Sequence, residues 1–299
     1  MNVLIIGGSG FVSGTLAKVA VSHGHRVWAV TRGQRPMPEG VTPLQADRHD
    51  DSAFEQALAA IGFPLDLVVD CIGYEPADAE QDIRLFRDRA KQLVFVSTDF
   101  VFDPSHRAIP QPEESDHYLA DGYGGKKRQC ELRFIEGDTG AMEWTIFRPC
   151  HIYGSGSRLG CLPLHGRDAK LIERLRAREA LQLVGGGYFL QQPIFARDLG
   201  ELILSACGQR QAFGGIFNAA GPDIIESRTY YRLIAEVLGV TLKTQEYSIE
   251  QFLAEKPESR SFICHRVYDL GKLRRCGLKA PSTPISLGLR EHVESLLCS

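Results

Sequence analysis

The sequence contains no Cys-x-x-Cys pair, although eight cysteines are scattered over its 299 residues. With no paired spacing and no export-type N-terminus, these thiols read as reduced, which excludes a disulfide scaffold. Cys150, His151, Cys161 and His165 lie close in sequence, but their spacing matches no common zinc pattern, so no metal site is expected. Long hydrophobic runs are also missing. Met1-Asn2 leads straight into Val3-Leu4-Ile5-Ile6, with no basic segment before it, and glycines end the run after a few residues. Such a stretch is too short for a signal peptide or a membrane span, so a cytoplasmic protein without a membrane partner is expected. Charge of one sign is lacking too. The 34 basic and 37 acidic residues leave a net −3, which offers no electrostatic attraction to nucleic acid or an anionic membrane. Internal repeats, low-complexity tracts and long linkers are absent, which points to one compact body.

What is present is an alternation. Short apolar runs at Val3–Ile6, Arg26–Val30, Val41–Gln45, Leu65–Asp70, Leu93–Ser97 and Trp144–Arg148 read as buried strands. Helical patterns separate them at Phe11–Ser22, Ser52–Ala60, Asp78–Ala90 and Tyr118–Phe134. This order predicts an α/β fold with a doubly wound parallel sheet of the Rossmann type. After Arg148-Pro149 the alternation stops. A Gly- and Pro-rich stretch and a basic amphipathic segment at Ala169–Arg178 follow. Helices are then expected at Arg197–Ala206, Arg228–Leu238, Ile249–Glu255 and Leu287–Leu297, with a strand at Ile216–Asn218. Residues 1–149 therefore read as a dinucleotide-binding domain. Residues 150–299 read as a smaller, mainly helical substrate lobe, with segments near 181–218 returning to the sheet.

The first strand–helix turn carries the most specific local signal. Phosphates bind where backbone N–H groups at a helix N-terminus are unobstructed. Gly7 permits the tight turn after the strand, Ser9 adds a hydroxyl, and Gly10 lets a pyrophosphate approach the first helical amides at Phe11 and Val12. The third glycine of such a loop is displaced, with Ser13 in its place and Gly14 following.

GGSGFVSG, STDFVFD, YGGKK and RPCHIYG together resemble the extended short-chain dehydrogenase/reductase superfamily, and within it the NAD-dependent epimerase/dehydratase group. The likeness extends to DLGKLRRCGLKAPSTPISLGLREHV near the C-terminus. It implies Tyr123 as acid/base, with Lys127 holding the nicotinamide ribose. It gives Thr98 the hydroxyl that orients the reacting oxygen, with Ser97 as the fallback. It also implies that Asp47 contacts adenine, in a stretch continuing through Arg48, and that Pro149 lies against the nicotinamide. Gly73 ends the fourth-strand loop, where small residues let the backbone pass near the cofactor. Asp99, His151, Tyr153, Arg158, Gln191 and Gln192 are substrate candidates by position.

The chemistry asks for this pairing. Residues four apart share a helix face, so Tyr123 and Lys127 project together. A free tyrosine titrates near pH 10, and service near pH 7 requires roughly 4 kcal/mol of phenolate stabilisation. A cation about 4 Å away at an effective dielectric of ~20 supplies an interaction of that order.

The second strand ends at Thr31-Arg32-Gly33, and no carboxylate occurs between Arg26 and Pro38 to hold a ribose 2′-hydroxyl. Arg32 suits a 2′-phosphate instead, which tilts the expected cofactor to NADP over NAD, the alternative being that Arg32 stacks over the adenine and is indifferent to the phosphate. The expected activity is oxidation, reduction or epimerisation at a hydroxyl or ketone of a sugar-like molecule, nucleotide sugars included. Ketoreduction of a natural-product intermediate is the alternative enzyme. A cofactor-sensing or RNA-associated binding protein is the alternative of another class, and it predicts a lost Tyr/Lys pair or a basic surface. The expected partners are a small-molecule substrate and, as the open assembly, a second copy in a homodimer.

Overall fold

Strand β1 (Asn2–Ile6) shows why the sheet is central. Val3 and Ile5 enter one core and Leu4 and Ile6 another, and all four are fully buried. Burial on both faces is what a parallel strand covered by helices requires. The computed structural model describes residues 1–298. After β1 it runs through α1 (Phe11–Ser22), β2 (Arg26–Thr31), β3 (Val41–Gln45), α2 (Asp51–Ala59), β4 (Leu67–Asp70) and α3 (Pro76–Phe86). Then come β5 (Gln92–Val96), a single 3-10 turn at Asp99–Val101, α4 (Gly122–Glu136) and β6 (Glu143–Pro149).

The second half contains β7 (Ile152–Tyr153), α5 (Leu171–Arg176), β8 (Ala180–Val184), β9 (Leu190–Gln191), β10 (Ile194–Phe195) and α6 (Ala196–Ser205). It continues with β11 (Gly215–Ala219), β12 (Ile225–Glu226), α7 (Ser227–Val237), β13 (Lys243–Tyr247), α8 (Ile249–Glu255), α9 (Gly271–Arg275) and α10 (Ile285–Leu297). Seven parallel strands form the main sheet in the order β11-β6-β5-β4-β1-β2-β3. Helices α1 and α6 cover one face through Leu16, Ala17, Leu199 and Leu202. Helices α2, α3 and α4 cover the other through Phe54, Phe86 and Phe134. The order in which strands are added reverses between β1 and β4, and that switch opens a crevice at the carboxyl edge.

Segment 196–219 supplies α6, packed on α1, and β11, paired with β6. In contrast, β8 pairs with β13 away from the main sheet. Tyr153, Leu175, Tyr230 and Leu289 share a separate core there.

Several expected helices have different bounds, three of them for visible reasons. The one expected from Tyr118 begins at Gly122, because Asp121 is extended, Gly122 has φ +64° and Tyr118 bridges Phe102 instead. The segment 169–178 yields only the short α5, ended by Arg178 at φ +57°. Helix α3 opens earlier than expected, at Pro76, whose missing N–H costs nothing in a first turn. All eight cysteines are free. No helix among the described residues is long and apolar enough to cross a membrane.

Candidate active site

The glycine loop folds as its chemistry requires. Gly7 and Gly8 adopt φ +114° and +109°, and a Cβ at Gly8 would lie 2.4 Å from that of Ala29. Ser13 occupies the packing position of the displaced third glycine. Its Oγ lies 3.2 Å from where a Gly7 Cβ would sit and accepts the Gly10 N–H at 3.2 Å. The amides of Phe11 and Val12 open α1, where a helix has no internal acceptor for them. Gly7, Ser9 and Gly10 line a cavity of about 410 Å³ together with Arg32, Asp47 and Arg48, whereas Phe11 lines neither this cavity nor the next and Val12 lines only the next. A glycine backbone at the start of α1 and the cations Arg32 and Arg35 beyond β2 fit the phosphates of a dinucleotide. Neither Arg32 nor Arg35, which lines the same cavity, has an acid partner among the described residues.

A second cavity, of about 450 Å³, is lined by Thr98, Tyr123, Lys127, Pro149, Asp99 and His151, with Val12 at its edge. Tyr74 lines both cavities, so the two meet at its ring. The first-turn end of α4 fits closely against the loop after β5: a Cβ on Gly124 would lie 2.0 Å from the Phe100 carbonyl oxygen. This contact sets Tyr123 beside Thr98. Burial pushes the Tyr123 phenol up to about 12, against the opposing hydrogen bond with Thr98. Lys127 Nζ donates to the carbonyls of Gly73 and Val96, both at 2.7 Å, and burial lowers its own pKa. Gly73 is required there, since a Cβ would sit 2.3 Å from Asp70 Oδ2.

The two hydroxyls after β5 differ in their engagement. Ser97 donates to Glu131 at 2.6 Å, whereas Thr98 keeps its oxygen beside Tyr123 and accepts only the Phe100 N–H at 3.2 Å. Asp99 lines the cavity with its charge already committed. Arg266, Arg107 and Tyr268 all bond its Oδ2, and the two arginines outweigh burial and hold its carboxyl below the ordinary range. His151 is a neutral imidazole, held down to about 3 by burial and then by Arg167, and its buried Nε2 has no partner.

Four substrate candidates lie away from both cavities. Along β7, alternation turns Ile152 toward the cavity and Tyr153 into the lobe core, 1% exposed. Arg158 lies on an exposed groove with Asp168 and Glu173. Gln191 is buried in β9, and Gln192 is buried with its amide on the Gly221 carbonyl. Arg48 lines the first cavity, but its guanidinium binds Asp70 and Asp82 beneath it. Tyr74, Arg167, Phe262 and Arg266 also line the second cavity, unmarked by any local sequence pattern. The four-residue cluster considered for metal does not assemble, since Cys150 Sγ donates to the Gln192 carbonyl and His165 packs on Tyr231.

Residues 3–220 match the model of the NAD dependent epimerase/dehydratase family. The chain is 26% identical over 241 residues to the chloroplast stem-loop binding protein of 41 kDa b from Arabidopsis thaliana, covering 75% of this chain and 60% of that one. It thus spans about three-fifths of that relative's length. It is 25% identical over 285 residues to 2'-dehydrokanamycin reductase of Streptomyces kanamyceticus, covering 92% of this chain and 78% of the reductase. Among solved structures, UDP-glucose 4-epimerase of Thermotoga maritima superposes with a TM-score of 0.79 at 18% identity, covering 100% of this chain and 99% of that chain. The NAD complex of the Thermus thermophilus UDP-glucose 4-epimerase gives 0.76 at 18% identity, with 99% of each chain covered. At these identities the superpositions establish the fold.

Proposed function

The chain belongs to the NAD dependent epimerase/dehydratase family, and from that premise we propose an NADP-linked oxidoreductase acting on a hydroxyl or ketone of a sugar-like molecule. One observation carries the reading. Thr98, Tyr123, Lys127 and Pro149 converge on a single cavity that meets the glycine-loop cavity at Tyr74. A bound nicotinamide dinucleotide supplies the hydride donor or acceptor. Tyr123, protonated at neutral pH, gives its phenolic proton to a carbonyl oxygen as hydride reaches the carbon, and Thr98 orients that oxygen. Lys127, which lines the same cavity, would hold a ribose hydroxyl of the bound cofactor. The protonated phenol favours the reductive direction, and the likeness to a reductase over 92% of the chain agrees with it. Residues 150–299 supply the substrate-selecting wall through His151, Arg167 and Arg266.

The test is direct. Mass spectrometry of the purified protein identifies any retained dinucleotide, and NADPH oxidation is followed against a panel of keto sugars. Tightly held oxidised cofactor favours an epimerase, and an empty, exchanging site favours a reductase. No hydride transfer in either direction, with no dinucleotide bound, removes the reading.

The preference for NADP rests on Arg32 and Arg35 beside the cavity and on the missing carboxylate after β2. Arg32→Ala is expected to weaken NADP binding about 10- to 100-fold while leaving NAD affinity unchanged, the size of a charge-assisted contact. Dissociation constants for both cofactors check this. Equal weakening of the two would assign Arg32 to adenine stacking instead, and tighter wild-type binding of NAD would refute the preference.

A 4,6-dehydratase activity is not expected. In relatives that eliminate water from nucleotide sugars, Thr-Asp-Glu supplies two acids, whereas Phe100 stands here in the glutamate's place. Asp99 is held ionised by two arginines, so it has no proton to donate. A 4-keto-6-deoxy product from a nucleoside-diphosphate hexose, detected by mass spectrometry, would contradict this.

A further inference from the structure

Beneath the first cavity lies a buried cluster with more acids than bases. Arg48 is 5% exposed, and its Nη1 donates to Asp70 Oδ2 at 2.9 Å. Nη2 donates to Asp82 Oδ1 at 3.1 Å and to the Asp78 carbonyl at 2.9 Å, while Nε lies 3.3 Å from Asp78 Oδ1. Three carboxylates therefore surround one guanidinium, and Asp70 and Asp82 have no exposed surface. Asp82 Oδ2 is buried with no donor in reach. An ionised carboxylate left so would be costly, and a proton bridging to the adjacent Asp70 removes the problem.

The cluster also joins two loops that flank the dinucleotide cavity. On one side is the stretch from Asp47 to His49, where Gln81 Nε2 holds the Arg48 carbonyl at 2.6 Å. On the other side, Asp70 Oδ1 accepts the Ile72 N–H at 2.8 Å, and Asp78 Oδ2 accepts those of Tyr74 and Glu75 at 2.8 and 3.0 Å. The second loop carries Gly73, whose carbonyl holds Lys127.

We propose that Arg48 is a positioning residue that locks these two loops in one register, and that Asp82 carries the proton it shares with Asp70. The role rests on the dinucleotide reading above. Burial and then Asp70 hold the Asp82 carboxyl well above the ordinary range, while Arg48 outweighs burial and keeps Asp70 below it. The other titratable groups facing the cluster are Asp78 on α3, Cys71 and Tyr74 on the loop after β4, Lys127 and Cys130 on α4, and His49 at 3.9 Å from Asp78.

Titration calorimetry of NADP and NAD against the full-length protein tests this. Asp82→Asn preserves a protonated carboxyl's shape and donor, so both dissociation constants stay within about twofold of wild type. Asp70→Asn and Arg48→Met weaken both cofactors equally, about tenfold or more, the scale of a lost charged hydrogen bond. Wild-type affinity falls as pH rises through the raised Asp82 value, and Asp82→Asn lacks that component of the fall, which a merely structural role would not produce. Circular dichroism on each variant separates lost fold from lost binding, and the near-isosteric Asn pair keeps the test open if Arg48→Met does not fold. Asp82→Asn binding as poorly as Asp70→Asn, or an Asp82→Asn pH profile identical to that of the wild type, overturns the proposal. Wild type binding neither cofactor overturns the dinucleotide reading, and this role with it.

Discussion

Replacing Tyr123 by Phe is expected to lower turnover by about 10²- to 10⁴-fold, while the dissociation constant for NADP stays within about twofold. The substitution keeps the ring, which packs near Phe100 and Tyr74 at centroid distances of 6.2 and 6.4 Å, and removes only the ionisable oxygen. Because burial pushes that phenol up to about 12, the acid form persists through neutral pH. Reduction by the wild type should therefore be flat through neutrality and fall only at alkaline pH, and the residual rate of the Phe variant should lack that fall. Lys127→Ala should differ by damaging both turnover and cofactor affinity, since its Nζ reaches the Gly73 carbonyl beside the cavity. Steady-state rates with a reactive keto sugar, paired with cofactor titrations, give both readings. A Tyr123→Phe protein with wild-type turnover would remove Tyr123 from the chemistry.

Glu131→Ala is expected to cost about 3–5 kcal/mol of stability, the largest effect of any single change considered for this protein. Arg148 and Glu131 are both fully buried, and Arg148 grips the carboxylate through Nε at 2.8 Å and Nη2 at 2.7 Å. Removing the acid strands that guanidinium and frees the hydroxyl of Ser97, next to Thr98. Thermal or urea unfolding measures the loss, and Tm should drop by roughly 2–4 °C for each kcal/mol. Replacing both partners by Leu and Met should restore most of the stability, because the desolvation penalty then disappears as well. The pH sign follows from the carboxyl. Burial opposes its charge, but Arg148 outweighs burial and holds the pKa below the ordinary carboxylate value. The pair's contribution is therefore present above about pH 4.5 and is lost as pH falls through the depressed folded value. Wild-type stability in Glu131→Ala would show the pair to be dispensable.

Local signals in the chain were enough for several parts of the site. The turn from β1 into α1, the four-residue spacing of Tyr123 and Lys127, and the missing acid after β2 all lie within short windows, and the structure places these residues along two adjoining cavities. Arg48 and Asp99 were legible as site neighbours, but their occupation was not, because their partners come from α3 and from residues 266 and 268. Position alone makes Tyr153 a substrate candidate, yet a Cβ on Gly288 would lie 2.4 Å from its hydroxyl. That closeness belongs to α10, over a hundred positions further along the chain.

Hydrophobic periodicity and glycine placement alone determined the parallel sheet, its first strand buried on both faces, and the phosphate-type turn, because each depends on backbone geometry within one or two elements. Which polar groups remain available to a ligand was decided only in three dimensions. Asp99 and Arg266 are 167 positions apart and still form one buried cluster. A side chain's charge state and reach depend on what the crossover connections bring against it, and burial amplifies each such contact. Lys127 illustrates the difference: its spacing places it on the Tyr123 face of α4, while only the fold shows its Nζ held by the carbonyls of Gly73 and Val96.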